Sequence, residues 1–106
     1  MENVGLTILN QMKAINTQYL WSWGSHAYRI FTEGQFTSQL KPHLGGLVFR
    51  VQGRKYHGNV IITLEASDTY HIYYGQLRKG EIKIQAEQSD VYVEDLMDIL
   101  DSFIET

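Results

Sequence analysis

The middle of this chain consists of four short segments in which apolar and polar residues alternate. They are Leu47–Gln52, Val60–Glu65, Tyr70–Tyr74 and Glu81–Glu87. Alternation with a period of two is typical of strands, because successive side chains of a strand point to opposite faces of the sheet. Short links separate the segments, and parallel neighbours need long crossover connections. The pattern therefore predicts an antiparallel sheet.

A helical pattern flanks these strands at each end of the chain. Val4–Tyr19 carries apolar residues at helical spacing, and so does Val93–Ile104. Asp90 is the predicted N-cap of this second helix; in the alternative, Val91 and Val93 are extended and the helix begins near Glu94. The aromatic segment Trp21–Thr32 is interpreted as a bent strand, or as a short link followed by a strand over His26–Phe31. The predicted element order is therefore α-β-β-β-β-β-α.

This order predicts an α+β fold for residues 1–106 as one domain. We expect a single antiparallel sheet of four to five strands, with the N-terminal and C-terminal helices packed on one face as a two-layer sandwich. The other sheet face would then meet water or a partner. The residues expected in the core are Leu47, Phe49, Val51, Val60, Ile62, Leu64, Ile72, Ile84, Leu96, Leu100 and Phe103.

The composition restricts the setting in which the chain acts. It contains no cysteine, which excludes disulfides, thiolate metal sites and cysteine nucleophiles and suits a reducing cytoplasm. No apolar run approaches the roughly 20 residues that a membrane span needs, and the N-terminal segment lacks a signal-peptide pattern. We expect a cytoplasmic protein with no membrane partner.

The formal charge divides the chain into two unequal parts. Residues 1–86 carry nine Lys/Arg and five Asp/Glu, a formal charge of +4. Residues 87–106 carry seven acids and no Lys or Arg, a formal charge of −7. The chain can therefore present a mildly basic body and an acidic final helix to differently charged partners.

The acidic helix supports the leading functional interpretation. Glu94, Asp98, Asp101 and Glu105 form a stripe at helical spacing, where like charges repel and cost the helix a few tenths of a kcal/mol each. Basic residues of the body can compensate them, and so can a partner. We interpret the chain as a non-enzymatic module that binds a protein, such as a nucleic-acid-binding protein, through this stripe.

The basic residues support an alternative function. Arg50, Arg54 and Lys55 surround a predicted hairpin, and strand alternation puts Arg50, Tyr73 and Lys83 on the sheet face opposite the core. Cations for phosphates and rings for stacking are what single-stranded nucleic acid requires. A pI of about 5.7 lacks the strongly basic footprint of such proteins. A solvated sheet face therefore remains the other interpretation of these residues.

The segment Trp21–His26 contains the residue types of a catalytic or stacking site. Ser22 or Ser25 with His26 and a carboxylate would make a triad, but nothing resembles a nucleophile elbow. The tryptophans of this segment are interpreted as a structural corner, since aromatic side chains bury large areas. The four histidines lack paired metal-ligand spacing. We therefore predict no enzymatic activity, no metal and no cofactor.

Four stretches of the chain resemble the sequences of other proteins. They are Trp-Ser-Trp-Gly-Ser-His-Ala (21–27), Gly-Arg-Lys-Tyr-His-Gly-Asn-Val-Ile-Ile-Thr-Leu (53–64), Asp-Thr-Tyr-His-Ile-Tyr (68–73) and Asp-Val-Tyr-Val-Glu-Asp-Leu (90–96). Together they resemble a group of small uncharacterised proteins encoded by bacteria, their phages and mobile elements. The resemblance covers most of the chain and implies a cytoplasmic protein whose partner belongs to a host system. It implies no activity and no functional residue.

Overall fold

A computed structural model describes residues 4–35, 40–79 and 81–105 of the chain. Its elements, in chain order, are α1 (Val4–Ser22), β1 (His26–Thr32), β2 (Gly45–Gln52), β3 (His57–Leu64), β4 (Tyr70–Arg78), β5 (Glu81–Val91) and α2 (Val93–Ile104). The five strands form one sheet in the order β1-β2-β3-β4-β5, and all neighbours are antiparallel. The predicted α+β architecture is confirmed.

Both helices bury their apolar stripes on the same face of the sheet. Ile8 and Met12 of α1 and Leu96 and Leu100 of α2 belong to one cluster of buried side chains. The sheet contributes the residues that alternation predicted for this face: Leu47, Phe49, Val51, Val60, Ile62 and Ile72. This cluster is the main core, and it stabilises the fold because each fully buried apolar side chain contributes about 1.5–3 kcal/mol.

The edge strand β5 departs from the predicted alternation. Tyr74 pairs with Ala86 but Gly75 pairs with Ile84, so one extra residue of β5 bulges out between these pairs. A bulge of this kind shifts the following side chains to the other sheet face. Ala86 therefore packs against the main core, whereas Ile84 is 37 % exposed. The prediction that Ile84 is buried is wrong for this reason.

Two further core predictions hold only in part. Leu64 and Phe103 are half-buried and pack against the rim of the main core. Leu64 is the last residue of β3, and Phe103 lies in the last turn of α2. Both positions are at ends of elements, where neighbours cover a side chain on fewer sides.

Part of the opposite sheet face is also covered, which the sequence did not predict. Phe31, Val48, Ile61 and Tyr73 form a second buried cluster with Leu40, which lies outside the strands. The segment around Leu40 is held there by hydrogen bonds. The Lys41 amide donates to the Tyr73 hydroxyl (3.2 Å), and the Leu44 amide donates to the Leu64 carbonyl (2.8 Å).

The two tryptophans have different environments. The helix α1 extends to Ser22, three residues beyond the predicted Tyr19. Trp21 therefore lies on the helix, with 85 % of its surface exposed, whereas Trp23 follows the helix and is 0 % exposed. The prediction that both are structural is confirmed for Trp23 and wrong for Trp21.

Truncation of a buried side chain of α2 should destabilise the protein strongly. We expect Leu100→Ala to lower the free energy of unfolding by about 2–5 kcal/mol, because it leaves a cavity in the main core. Ile84→Ala is the matched control, and we expect a change within about 0.5 kcal/mol because that site is partly solvated. Urea denaturation of both variants measures the difference. Equal unfolding midpoints would show that α2 does not pack as described.

Fluorescence should separate the two tryptophans. The variant Trp21→Phe retains only the buried Trp23, so we expect emission at shorter wavelength than in the parent protein. Trp23→Phe retains only the exposed Trp21, so we expect emission at the wavelength of solvated indole. Emission spectra of the folded variants, with circular dichroism as the control for folding, measure this. Identical emission maxima would contradict the assignment.

Candidate partner-binding groove

The helix α2 begins directly after the last strand. Tyr92 is its N-cap and makes no side-chain capping hydrogen bond. Asp90, the predicted N-cap, belongs to β5 and adopts a left-handed backbone with φ of +56°. The prediction is wrong because the strand continues to Val91 through a second register shift against β4. Glu94 and Asp95 do lie in the first turn, where the helix dipole favours negative charge.

The C-terminal end of α2 is held by the turn between β2 and β3. The Lys55 amide donates to the Ile104 carbonyl (2.8 Å), and the Lys55 ammonium donates to the Ser102 carbonyl (3.4 Å). These bonds satisfy carbonyls that a helix end leaves without partners. Gly53 permits the close approach, since a Cβ there would overlap Ile104.

Two of the four predicted contact acids have partners within the fold. The Trp23 indole donates its Nε1 hydrogen to Asp101 Oδ1 at 2.9 Å. The Arg54 amide donates to Glu105 Oε2 at 3.3 Å, and the Arg54 guanidinium Nε lies 4.0 Å from the same oxygen. Asp101 and Glu105 therefore position α2. Glu94 and Asp98 are exposed.

An open cavity of about 670 Å³ separates α2 from the edge strand β5. Its floor is aromatic: the rings of Tyr74 and Phe103 stack with centroids 3.7 Å apart, and Tyr56 meets Phe103 edge-on at 5.3 Å. Asp95 and Asp98 of α2 line one side of it. We call this cavity the acidic groove.

Charge in the acidic groove is mainly negative. This charge comes from the two helix acids. Glu87 of β5 also lines the groove, but it pairs with Tyr73, and its carboxylate lies 3.9 Å from the Lys41 ammonium and 3.7 Å from His71 Nε2 on the other side of the sheet. Lys55 is the only cation among the described lining residues. The groove therefore favours a positively charged occupant.

The hydroxyl group of Tyr74, which lines this groove, is buried. Tyr74 is 2 % exposed, and its hydroxyl has no hydrogen-bond partner among the described residues. A tyrosine hydroxyl is neutral at physiological pH, and burial raises the pKa of Tyr74 further above that range. A neutral phenol oxygen can accept a hydrogen bond from an N–H group.

The neighbouring Tyr56 differs in that its hydroxyl is bonded. It donates toward the Asn59 carbonyl (2.7 Å) and the Gly75 carbonyl (2.9 Å). Burial raises the pKa of Tyr56 to about 12 against the opposing effect of these hydrogen bonds. Tyr56 is therefore a fixed part of the groove floor, whereas the Tyr74 hydroxyl has no hydrogen-bond partner among the described residues.

The five residues of the nucleic-acid alternative do not form one surface. Arg54 and Lys55 lie at the end of α2, and Arg50 lies on the opposite sheet face with Val48. Lys83 pairs with Gln76 on the exposed edge strand. Tyr73 is 1 % exposed beneath the segment around Leu40, so its ring cannot stack on a base. The sheet face was predicted to be open, and for Tyr73 that prediction is wrong.

The Ser/His residues of the aromatic segment have structural partners. Ser22 Oγ donates to the Gln18 carbonyl at 3.1 Å, and Ser25 Oγ donates to the Leu20 carbonyl at 2.7 Å. His26 Nδ1 lies 2.8 Å from the Gly24 carbonyl. These side chains terminate α1 and fix the turn into β1. In the described part of the chain, no group of three His, Asp or Glu residues is placed to hold a metal ion.

The sequence interpretation missed the aromatic floor of the groove. Tyr74 and Phe103 come together only because β4 and α2 cross, so no local pattern connects them. Asp95 could have been found, since Asp95 and Asp98 share helical spacing with the predicted stripe.

No protein-family model, curated protein or solved structure matches this chain. The resemblance to small proteins of bacteria and phages therefore stays a prediction. Within the described ranges, neither α1 nor α2 is long and apolar enough to cross a membrane.

The bond between Trp23 and Asp101 should be measurable as a coupling energy. We expect Asp101→Asn or Trp23→Phe alone to cost about 1–3 kcal/mol, because each leaves a polar or charged partner poorly satisfied. Asp98→Asn is the control and should change stability by less than about 0.5 kcal/mol, because Asp98 is exposed.

The double variant should cost less than the sum of the two single variants, because its second substitution removes a partner already lost. Denaturant unfolding of the four-protein cycle measures the coupling. Strict additivity would show that the two side chains do not interact.

Proposed function

We propose that this chain is a non-enzymatic binding module that takes a basic segment of a protein partner in the acidic groove. The observation that carries the proposal is the combination of helix acids and aromatic floor in one open cavity. A guanidinium or ammonium over an aromatic face gains cation–π attraction, and it pairs with carboxylates at the same time.

The groove has the size and chemistry for an arginine or lysine side chain. Its 670 Å³ falls within the range of about 300–1,000 Å³ that binding clefts occupy. The cation would lie between the Tyr74–Phe103 pair and the carboxylates of Asp95 and Asp98. An N–H of the occupant would also satisfy the Tyr74 hydroxyl, which has no partner in the described structure.

The class of partner follows from the charge of the groove. Proteins that bind nucleic acids display clustered Lys and Arg. Such a protein is the partner that complements an acidic groove best, and the acidic face of α2 would then compete with phosphates for it. Electrostatic complementarity of this kind increases the association rate and selects the partner.

The proposal predicts which acids matter. We expect Asp95→Asn with Asp98→Asn to weaken the binding of a fluorescein-labelled Arg/Lys-rich octapeptide by about ten-fold or more. The matched control is Glu33→Gln with Glu81→Gln, which removes the same charge at exposed sites outside the groove. That control should change the affinity by less than about two-fold, because screening weakens distant surface charges. Fluorescence anisotropy at physiological salt measures both.

Two further probes separate the groove from general charge attraction. The same octapeptide with every Arg and Lys replaced by Gln should not bind. Tyr74→Phe should weaken binding without unfolding the protein, since it removes only the hydroxyl oxygen. If the Asp95/Asp98 double variant and the Glu33/Glu81 double variant weakened peptide binding equally, the groove would not be the contact surface.

A further inference from the structure

The second sheet face contains a separate cavity of about 360 Å³. The cations Arg29, Arg50 and Lys79 line it together with Asn59. Val48 and Leu77 provide apolar wall. This cavity lies on the opposite side of the sheet from the acidic groove, and we call it the cationic cavity.

The strand register explains how the polar residues meet. Arg50 of β2 lies directly opposite Asn59 of β3, and Arg29 of β1 lies opposite Val48. Directly opposed side chains have Cβ atoms about 4.5–5.5 Å apart, and diagonal neighbours lie within about 7–8 Å. Arg29 and Arg50 are therefore close enough to contact one ligand. Lys79 reaches the same cavity from the turn that follows β4.

The charge of the cationic cavity is not compensated by the described residues. None of the described residues lining it is acidic, and none of its three cations makes an ion pair within the described ranges. Like charges gathered in one cavity repel each other, and an anion between them removes the repulsion. All three cations are exposed, so a ligand can reach them.

The side chain of Asn59, which lines the cationic cavity, is buried and has an unpaired amide nitrogen among the described residues. Asn59 is 4 % exposed, and its side-chain Nδ2 has no hydrogen-bond partner among the described residues. Buried polar groups are nearly always hydrogen-bonded, and an exception calls for an unseen partner. A ligand oxygen in the cationic cavity would accept from this amide.

We propose that the cationic cavity binds the phosphate group of a small phosphomonoester. A phosphomonoester carries a charge of about −1.5 to −2 near neutral pH, which matches three cations better than the single charge of a carboxylate does. Arginine presents a planar fork of donors that fits phosphate oxygens in pairs. Val48 and Leu77 would contact the organic part of the ligand, for which the cavity has room beyond one phosphate.

The proposal is independent of the acidic groove. The two sites share no lining residue and lie on opposite sheet faces. Variants of the acidic groove that lose peptide binding should still bind the phosphate ligand. Variants of the cationic cavity that lose phosphate binding should still bind the peptide.

The test uses adenosine 5′-monophosphate, adenosine, inorganic phosphate and oligothymidylate as probes, followed by amide NMR and calorimetry. We expect adenosine 5′-monophosphate to shift the Asn59 side-chain amide signals and adenosine to leave them unchanged. Inorganic phosphate should bind more weakly at the same amide, since it lacks the apolar contact. Arg50→Gln should weaken the affinity for adenosine 5′-monophosphate by about ten-fold or more.

The matched control is Arg78→Gln, an exposed arginine of the same turn region that does not line the cationic cavity. It should leave the affinity within about two-fold, because its charge is screened by solvent. Both arginines are exposed, so neither substitution should unfold the protein, and thermal melts check this.

Several results would overturn the proposal. One is equal weakening by Arg50→Gln and Arg78→Gln. Another is binding of adenosine as tight as that of its monophosphate. A third is the absence of any shift of the Asn59 amide with either phosphate probe. If only oligothymidylate bound, and if its binding depended on Arg50, the cavity would be part of a nucleic-acid-binding surface and not a site for a small phosphomonoester.

Discussion

The anchoring of α2 over the sheet determines where the acidic groove lies. The helix is held at its C-terminal end by the β2–β3 turn and by the indole of Trp23, whose Nε1 donates to Asp101. These contacts draw α2 toward α1 and the middle of the sheet. The acidic groove is the space between α2 and the edge strand β5. Asp101, which the sequence predicted as a partner-binding residue, therefore helps to hold α2 in place.

The second sheet face is divided in a similar way. The segment around Leu40 covers Tyr73 and Ile61, while the other end of the face stays accessible at Arg50. Covering one end removes the Tyr73 ring from solvent, and the exposed cations Arg29, Arg50 and Lys79 line a cavity at the other end. The result is a module with an acidic groove on one side of the sheet and a cationic cavity on the other. The charge division along the chain is not a strict division in space, because Arg54 and Lys55 of the basic body lie at the C-terminal end of α2.

Much of the architecture could be predicted from local patterns. Alternation over β2, β3 and the first part of β4 placed Leu47, Phe49, Val60 and Ile62 on the core face, and the structure confirms them. This works because burial of one face fixes strand register, and a slip of one residue would expose the whole set. It failed for Ile84, because a bulge in β5 shifts the register within the strand. A bulge leaves no mark in an alternating sequence when the residues on both sides are of similar type.

The element order, the antiparallel pairing and the acidic character of α2 can be derived from the sequence, because they follow from the period of apolar residues, from link length and from formal charge. Which charged side chains are available depends on contacts between distant parts of the chain. Asp101 and Glu105 are satisfied by Trp23 and Arg54, residues distant along the chain. Asp95 instead lines the same cavity as Tyr74, with which it shares no local pattern. Whether a charged side chain faces solvent, a partner within the fold or a cavity depends on what the chain brings against it, and local periodicity carries no information about that contact.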